Sequence, residues 1–65
     1  RMGKLDRAKD LLLLMLSTGD MASSEVFERM TQLGFSERTI KSAKKSLDID
    51  TYRKGGAWYW RKIGL

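Results

Sequence analysis

The stretch GFSERTIKSAKKSL, residues 34–47, joins a turn signal to a helix with two unlike sides. Gly34 tolerates left-handed backbone angles and so stops any helix that precedes it. Ser36 is the natural N-cap, and Phe35 and Ile40 then fall at N′ and N4, where an apolar staple fixes the angle at which the chain enters the helix. Ile40, Ala43 and Leu47 recur at helical spacing as a core stripe, and the helix is expected to end near Asp48. By helical angle Arg38 lies nearly opposite Ile40, with Lys41, Ser42 and Lys45 close to it. Ser36, Glu37 and Thr39 close the N-terminal end of that polar face. Lys44 falls on the boundary, where its stem can cover the core while its amine reaches water.

Upstream, KLDRAKDLLLLML places Leu5, Ala8, Leu12 and Met15 on one stripe, widened by Leu11 and Leu16. This predicts a first helix over residues 4–17, ended by Ser17, Thr18 and Gly19, with Leu13 or Leu14 off the main stripe. Met21 is expected to point inward and to form a brief strand. Ser23 or Ser24 then caps a second helix, with Glu25 near the positive end of its dipole. Val26, Phe27, Met30 and Leu33 give that helix its apolar side, up to Gly34. Two amphipathic helices joined by a short glycine-containing turn have the form of a helix-turn-helix.

Downstream the period changes from helical to alternating. IDTYRK, then Gly55-Gly56, then AWYWRK reads as a hairpin whose two-residue turn permits positive φ twice. Such a turn pairs Arg53 with Trp58, Tyr52 with Tyr59 and Thr51 with Trp60. Ile49, Trp58 and Trp60 then share a face expected to pack on helices 2 and 3, while Tyr52, Lys54 and Tyr59 face outward; a slip of one residue reverses the two faces. The elements together predict an α+β fold, mostly α: a winged helix-turn-helix of three helices followed by a C-terminal β-hairpin wing. Residues 1–65 read as a single domain preceded by a short lead-in, and the start at Arg1 as a piece of a longer chain.

Composition narrows the chemistry. Cysteine and histidine are both absent, which removes disulfides, thiolate zinc, imidazole bases and imidazole switches. The serines have no evident base to activate them, so no enzyme activity is expected. Asp48 and Asp50 cannot furnish a full oxygen shell for a metal, and Gly55-Gly56 lacks the Lys-Ser/Thr of a phosphate loop. No cofactor is expected. The apolar run Leu11 to Leu16 is far shorter than the roughly 20 residues a bilayer requires. No membrane association is expected, and the chain reads as cytoplasmic.

The net charge of +5 is distributed unevenly. Residues 1–35 hold five bases and five acids, whereas residues 36–65 hold eight bases and three acids. A positive field confined to one half attracts polyanions, whereas the same count spread evenly would serve solubility alone. The polar face of helix 3 reads as a recognition helix for the major groove of double-stranded DNA. Arg38 suits bidentate contact with guanine, Lys41 and Lys45 suit phosphate or base contacts, and the hydroxyls of Ser36, Thr39 and Ser42 suit phosphate. Arg53, Lys54, Gly55 and Gly56 form a narrow basic tip able to approach a backbone or minor groove. The tryptophans read first as packing, with stacking on single-stranded bases as the alternative. Protein docking through surplus leucines of helix 1 or exposed tyrosines is the remaining reading. A monomer is expected of the isolated domain.

The segment LGFSERTIKSAKKSLDIDTYRKGGAWYWRK resembles the C-terminal winged-helix segment of phage- and plasmid-type replication ATPases, the RecA-fold helicase or primase-associated proteins. The likeness lies in Gly34, Phe35, Ser36, Arg38, Thr39 and Ile40, then Ala43, Lys44, Lys45 and Leu47, then Gly55, Gly56, Trp58 and Trp60. It covers about half the chain closely and implies an accessory DNA-binding or positioning module in DNA replication, attached C-terminal to an ATPase. No phosphate loop or ATPase core is present in these residues.

Overall fold

In the computed structural model, which describes residues 3–63, helix α1 (Lys4–Leu16) leads through Gly19 into strand β1 (Met21–Ala22), and α2 (Ser23–Gln32) follows without a loop. After the turn at Gly34 come α3 (Glu37–Ser46), β2 (Asp50–Lys54) and β3 (Ala57–Arg61). The three strands form one antiparallel sheet in the order β1-β3-β2, which makes β3 the central strand. The fold is therefore α+β. Arg1 and part of the lead-in lie outside the described residues.

Two matched helix ends set the path of the chain. At the end of α2 the Gly34 N–H donates to Thr31 O at 3.0 Å, and the Phe35 N–H donates to Met30 O at 3.0 Å. This paired closure requires a left-handed residue at its centre, which Gly34 supplies with φ 96. It also turns Phe35 back onto the core beside Met30. The end of α3 repeats the arrangement. Asp48 N–H donates to Lys45 O and Ile49 N–H to Lys44 O, with Asp48 held at φ 54. Ile49 is thereby buried at the start of the hairpin. Between these ends, Ser36 caps α3 by accepting from the Thr39 backbone N–H at 3.2 Å.

The core is one cluster drawn from every helix. Ala8, Leu12 and Leu16 of α1, Val26 and Met30 of α2, and Ile40 and Ala43 of α3 close over Ile49 and Trp60. Helix α1 lies chiefly along α3, and α2 covers β3. Pairing of Met21 with Trp60 and of Ala22 with Tyr59 fastens the region before α2 to the hairpin. The hairpin register is the one its glycine turn predicts: Arg53 opposite Trp58, Tyr52 opposite Tyr59 and Thr51 opposite Trp60. Gly55 and Gly56 both take positive φ, as a tight two-residue turn demands.

Several side chains depart from the sequence reading. The buried line of α1 is Ala8, Leu12, Leu16, an exact i, i+4 series, so Leu5 rotates outward and Met15 is only half-buried. Of the two leucines expected off the stripe, Leu14 is exposed at 68% and Leu13 is half-buried. Neither Ser23 nor Ser24 caps α2. Sheet pairing keeps the chain extended through Ala22, which becomes the N-cap without a side-chain bond, and both serines fall inside the helix. Leu33 is 65% exposed because it sits at the C-cap, where the reversal turns it outward and hands the core position to Phe35.

The two left-handed residues have opposite consequences for stability. Gly34→Ala places a β-carbon at a conformation that costs about 1–2 kcal/mol, for a fall in Tm of about 4–16 °C. Asp48→Gly relieves similar strain but adds about 0.5–1 kcal/mol of unfolded-chain freedom, leaving a net gain of about 0.5 kcal/mol. Thermal unfolding followed by circular dichroism should therefore move down for the first variant and slightly up for the second.

Candidate nucleic-acid interface

On α3 the burial of Ile40 and Ala43 fixes the rotation of the helix, and Arg38, Lys41, Ser42 and Lys45 are consequently all exposed on one side. Lys44 and Lys45 fall in the last turn, where cations also oppose the negative end of the helix dipole. Part of the basic charge thus has a structural use. Arg38 and Lys41, nearer the other end, gain no such benefit from their charge.

The hydroxyls expected for phosphate divide. Ser42 is exposed on the same side as the cations, whereas Ser36 and Thr39 are engaged with each other. Their oxygens lie 3.0 Å apart while Ser36 Oγ also accepts the Thr39 N–H. Both are therefore partly committed to the cap at the start of α3.

Strand alternation separates the two bases at the hairpin tip. Arg53 lies on the face carrying Thr51, Trp58 and Trp60, its guanidinium 5.7 Å from the Trp58 ring centroid. Lys54 lies on the opposite face, with Tyr52 and Tyr59. That second face holds a latch. Tyr52 and Tyr59 stack at 5.7 Å between centroids, Tyr52 donates its hydroxyl to Asp20 at 2.6 Å, and Arg61 bridges to Asp50 at 2.5 Å. Asp50, considered with Asp48 as a metal candidate, is thus paired with a cation. Among the described residues no group of three potential metal ligands gathers.

The face that carries Arg53 is the one turned toward α3. Trp60 is buried against Phe27, edge to face at 5.4 Å, and the Lys44 amine stands 5.4 Å from the Trp60 centroid. Trp58, expected beside Trp60 in the core, is 52% exposed. The strand rises about 3.3 Å per residue, so two residues carry Trp58 roughly 7 Å farther toward the tip, past the helices that cover Trp60. Between hairpin and helix lies an open recess of about 430 Å³ walled by Phe27, Lys41, Lys44, Thr51, Trp58 and Trp60, with Ser23 at its edge. Lys41 therefore belongs both to the exposed face of α3 and to this recess. Sequence reasoning placed Trp58 first in the core, and it put Lys44 at the boundary, where the structure finds it half-buried, without seeing its contact with the Trp60 ring. The hairpin register carried the signal for Trp58, since it fixes how far each tryptophan stands from the tip.

No family model matches the chain, and neither a curated protein nor a solved structure matches it. Among the described residues no helix is long and apolar enough to cross a membrane.

The latch has a titration signature. The hydrogen bond to Asp20 is the main cause that pushes the Tyr52 phenol above its ordinary value, with loss of water around it and the Asp20 charge adding to the shift. Because the folded value is raised, this contribution is present below the ordinary tyrosine pKa of about 10 and is lost as pH rises through the higher folded one. In an ultraviolet-monitored alkaline titration, Asp20→Ala should bring one phenol back toward the ordinary range. An unchanged titration curve would contradict the latch.

Proposed function

We propose that the chain is a winged helix-turn-helix module that binds duplex DNA, mainly through phosphates. In this reading α3 enters the major groove and the β2–β3 hairpin is the wing. Arg38 and Ser42 face base edges or the flanking strand, and Lys41 and Lys45 neutralise phosphate. Ser36 and Thr39 sit at the positive end of the helix, where their capping geometry still presents them to a phosphate. Arg53, Lys54 and the Gly55-Gly56 tip follow the adjacent backbone or minor groove from both sides of the wing. The observation that carries the reading is the shared position of Lys41, which makes the basic face of α3 and the inner face of the hairpin one continuous surface. We assign no catalysis and no cofactor to it. The likeness of its second half to the C-terminal segment of replication ATPases favours an accessory role beside an ATPase.

A second reading has its own support. Leu11, Met15 and Leu33 wall a shallow apolar recess edged by Arg29, and Leu14 is exposed on the same helix as the first two. Docking to a protein through α1 would use that surface, would be insensitive to salt, and would be lost on Leu14→Asp.

With about six bases in reach, the DNA reading requires the logarithm of affinity to fall with the logarithm of salt at a slope near −5. Lys41→Glu with Lys45→Glu should flatten that slope by about two and weaken binding at every sequence tested. Unchanged affinity in a variant with an intact circular-dichroism spectrum would refute the assignment of α3.

A further inference from the structure

We propose that the recess between α3 and the hairpin receives one unpaired nucleotide, so that the domain favours duplex ending in a single-stranded overhang over blunt duplex. The inference rests on the nucleic-acid reading above and names the substrate of its inner surface. Trp58 is the observation behind it. The residue is 52% exposed, it borders the recess, and the Arg53 guanidinium stands over its ring, 5.7 Å from the centroid. A packing role would have buried the ring as it buries Trp60.

A duplex makes poor use of such a group. Its bases are stacked on one another and offer only their edges and the phosphates outside. The flat face of an indole needs a base that has left the stack, and aromatic and arginine planes are the usual platforms for one. The remaining walls fit the rest of a nucleotide. Lys41 and Lys44 wall the recess as cations suited to phosphate, the Lys44 amine standing 5.4 Å from the Trp60 centroid, and Thr51 and Ser23 supply hydroxyl-bearing side chains. Asp48 stands with Lys41 and Lys44 in the adjoining hollow, and among the described residues those walling the recess itself include no acid. They also include no amide or carboxylate to read base edges, so stacking there is tolerant of base identity. The volume of about 430 Å³ falls in the range of small-ligand sites. Lys41, shared with the face of α3, lets the overhang run from the recess into a duplex held by that helix.

The test compares three labelled DNAs by fluorescence anisotropy: a blunt duplex, the same duplex with a short overhang at either end, and the overhang strand alone. The wild-type domain should bind one of the overhang duplexes about tenfold more tightly than the blunt one, the gain expected of a single stacked base. Trp58→Ala should erase that difference while leaving blunt-duplex affinity within about twofold, and Trp58→Phe should keep part of it. Tryptophan emission should be quenched by the overhang duplex in the wild type and less so in Trp58→Phe, where only buried Trp60 remains. Equal affinity for blunt and overhang duplexes in the wild type would overturn the proposal, as would an equal loss for both in Trp58→Ala. If Lys41→Glu with Lys45→Glu weakens blunt-duplex binding while the wild type shows no overhang preference, only this proposal fails. If that double variant leaves binding unchanged, the underlying reading fails with it.

Discussion

The indole of Trp60, on the central strand, packs edge to face with Phe27, ring centroids 5.4 Å apart, while its own backbone lies between Met21 of β1 and Thr51 of β2. The sheet and the helices are joined through this contact. Helix α2 reaches the sheet through Phe27, α3 reaches it through the Lys44 amine over the Trp60 ring, and β1 ties the start of α2 to the same strand. A chain this short buries limited apolar surface and has no disulfide to compensate. One large aromatic placed where three elements converge therefore contributes more to cohesion than several small side chains placed apart.

Burying Trp60 has a consequence for the surface. The same strand face continues past the helices, so the next residue along it, Trp58, emerges beside Lys41 and Lys44. Meanwhile the burial of Ile40 and Ala43 sets the rotation of α3 and leaves Arg38, Lys41, Ser42 and Lys45 on the open side. The core thus determines which cations and which aromatic ring meet the solvent together. Two acids, Asp20 and Asp50, are held on the far face of the hairpin by Tyr52 and Arg61, while Asp48 stays beside Lys41, Lys44 and Lys45 at the end of α3.

Much of this was legible in the sequence because it depends on local rules. Gly34 and the Gly55-Gly56 pair announce their turns, and a two-residue turn at that pair gives the register that the structure has, with a slip of one residue as its alternative. The cap at Ser36 follows from spacing alone. The parts that were not legible depend on neighbours distant in the chain. Periodicity does not say which side of α1 will face α3, so Leu5 looked like core. Nothing near Ser23 reveals that β1 will pair with β3 and extend the chain to Ala22. Alternation placed Trp58 on the right face, but only the length of the helices above decides whether that face is covered. Lys44, judged a boundary residue from its angle, needed the hairpin in place before its second partner, the Trp60 ring, was visible.

Backbone-amide chemical shifts followed during addition of a short duplex test the central claim most directly, because they report every contact at once. The account predicts perturbations concentrated in residues 36–45 of α3 and 53–58 of the hairpin, with the α1 amides near Leu11 and Leu14 unmoved. Shifts confined to α1 and the end of α2, or no saturable shifts at low salt, would contradict it.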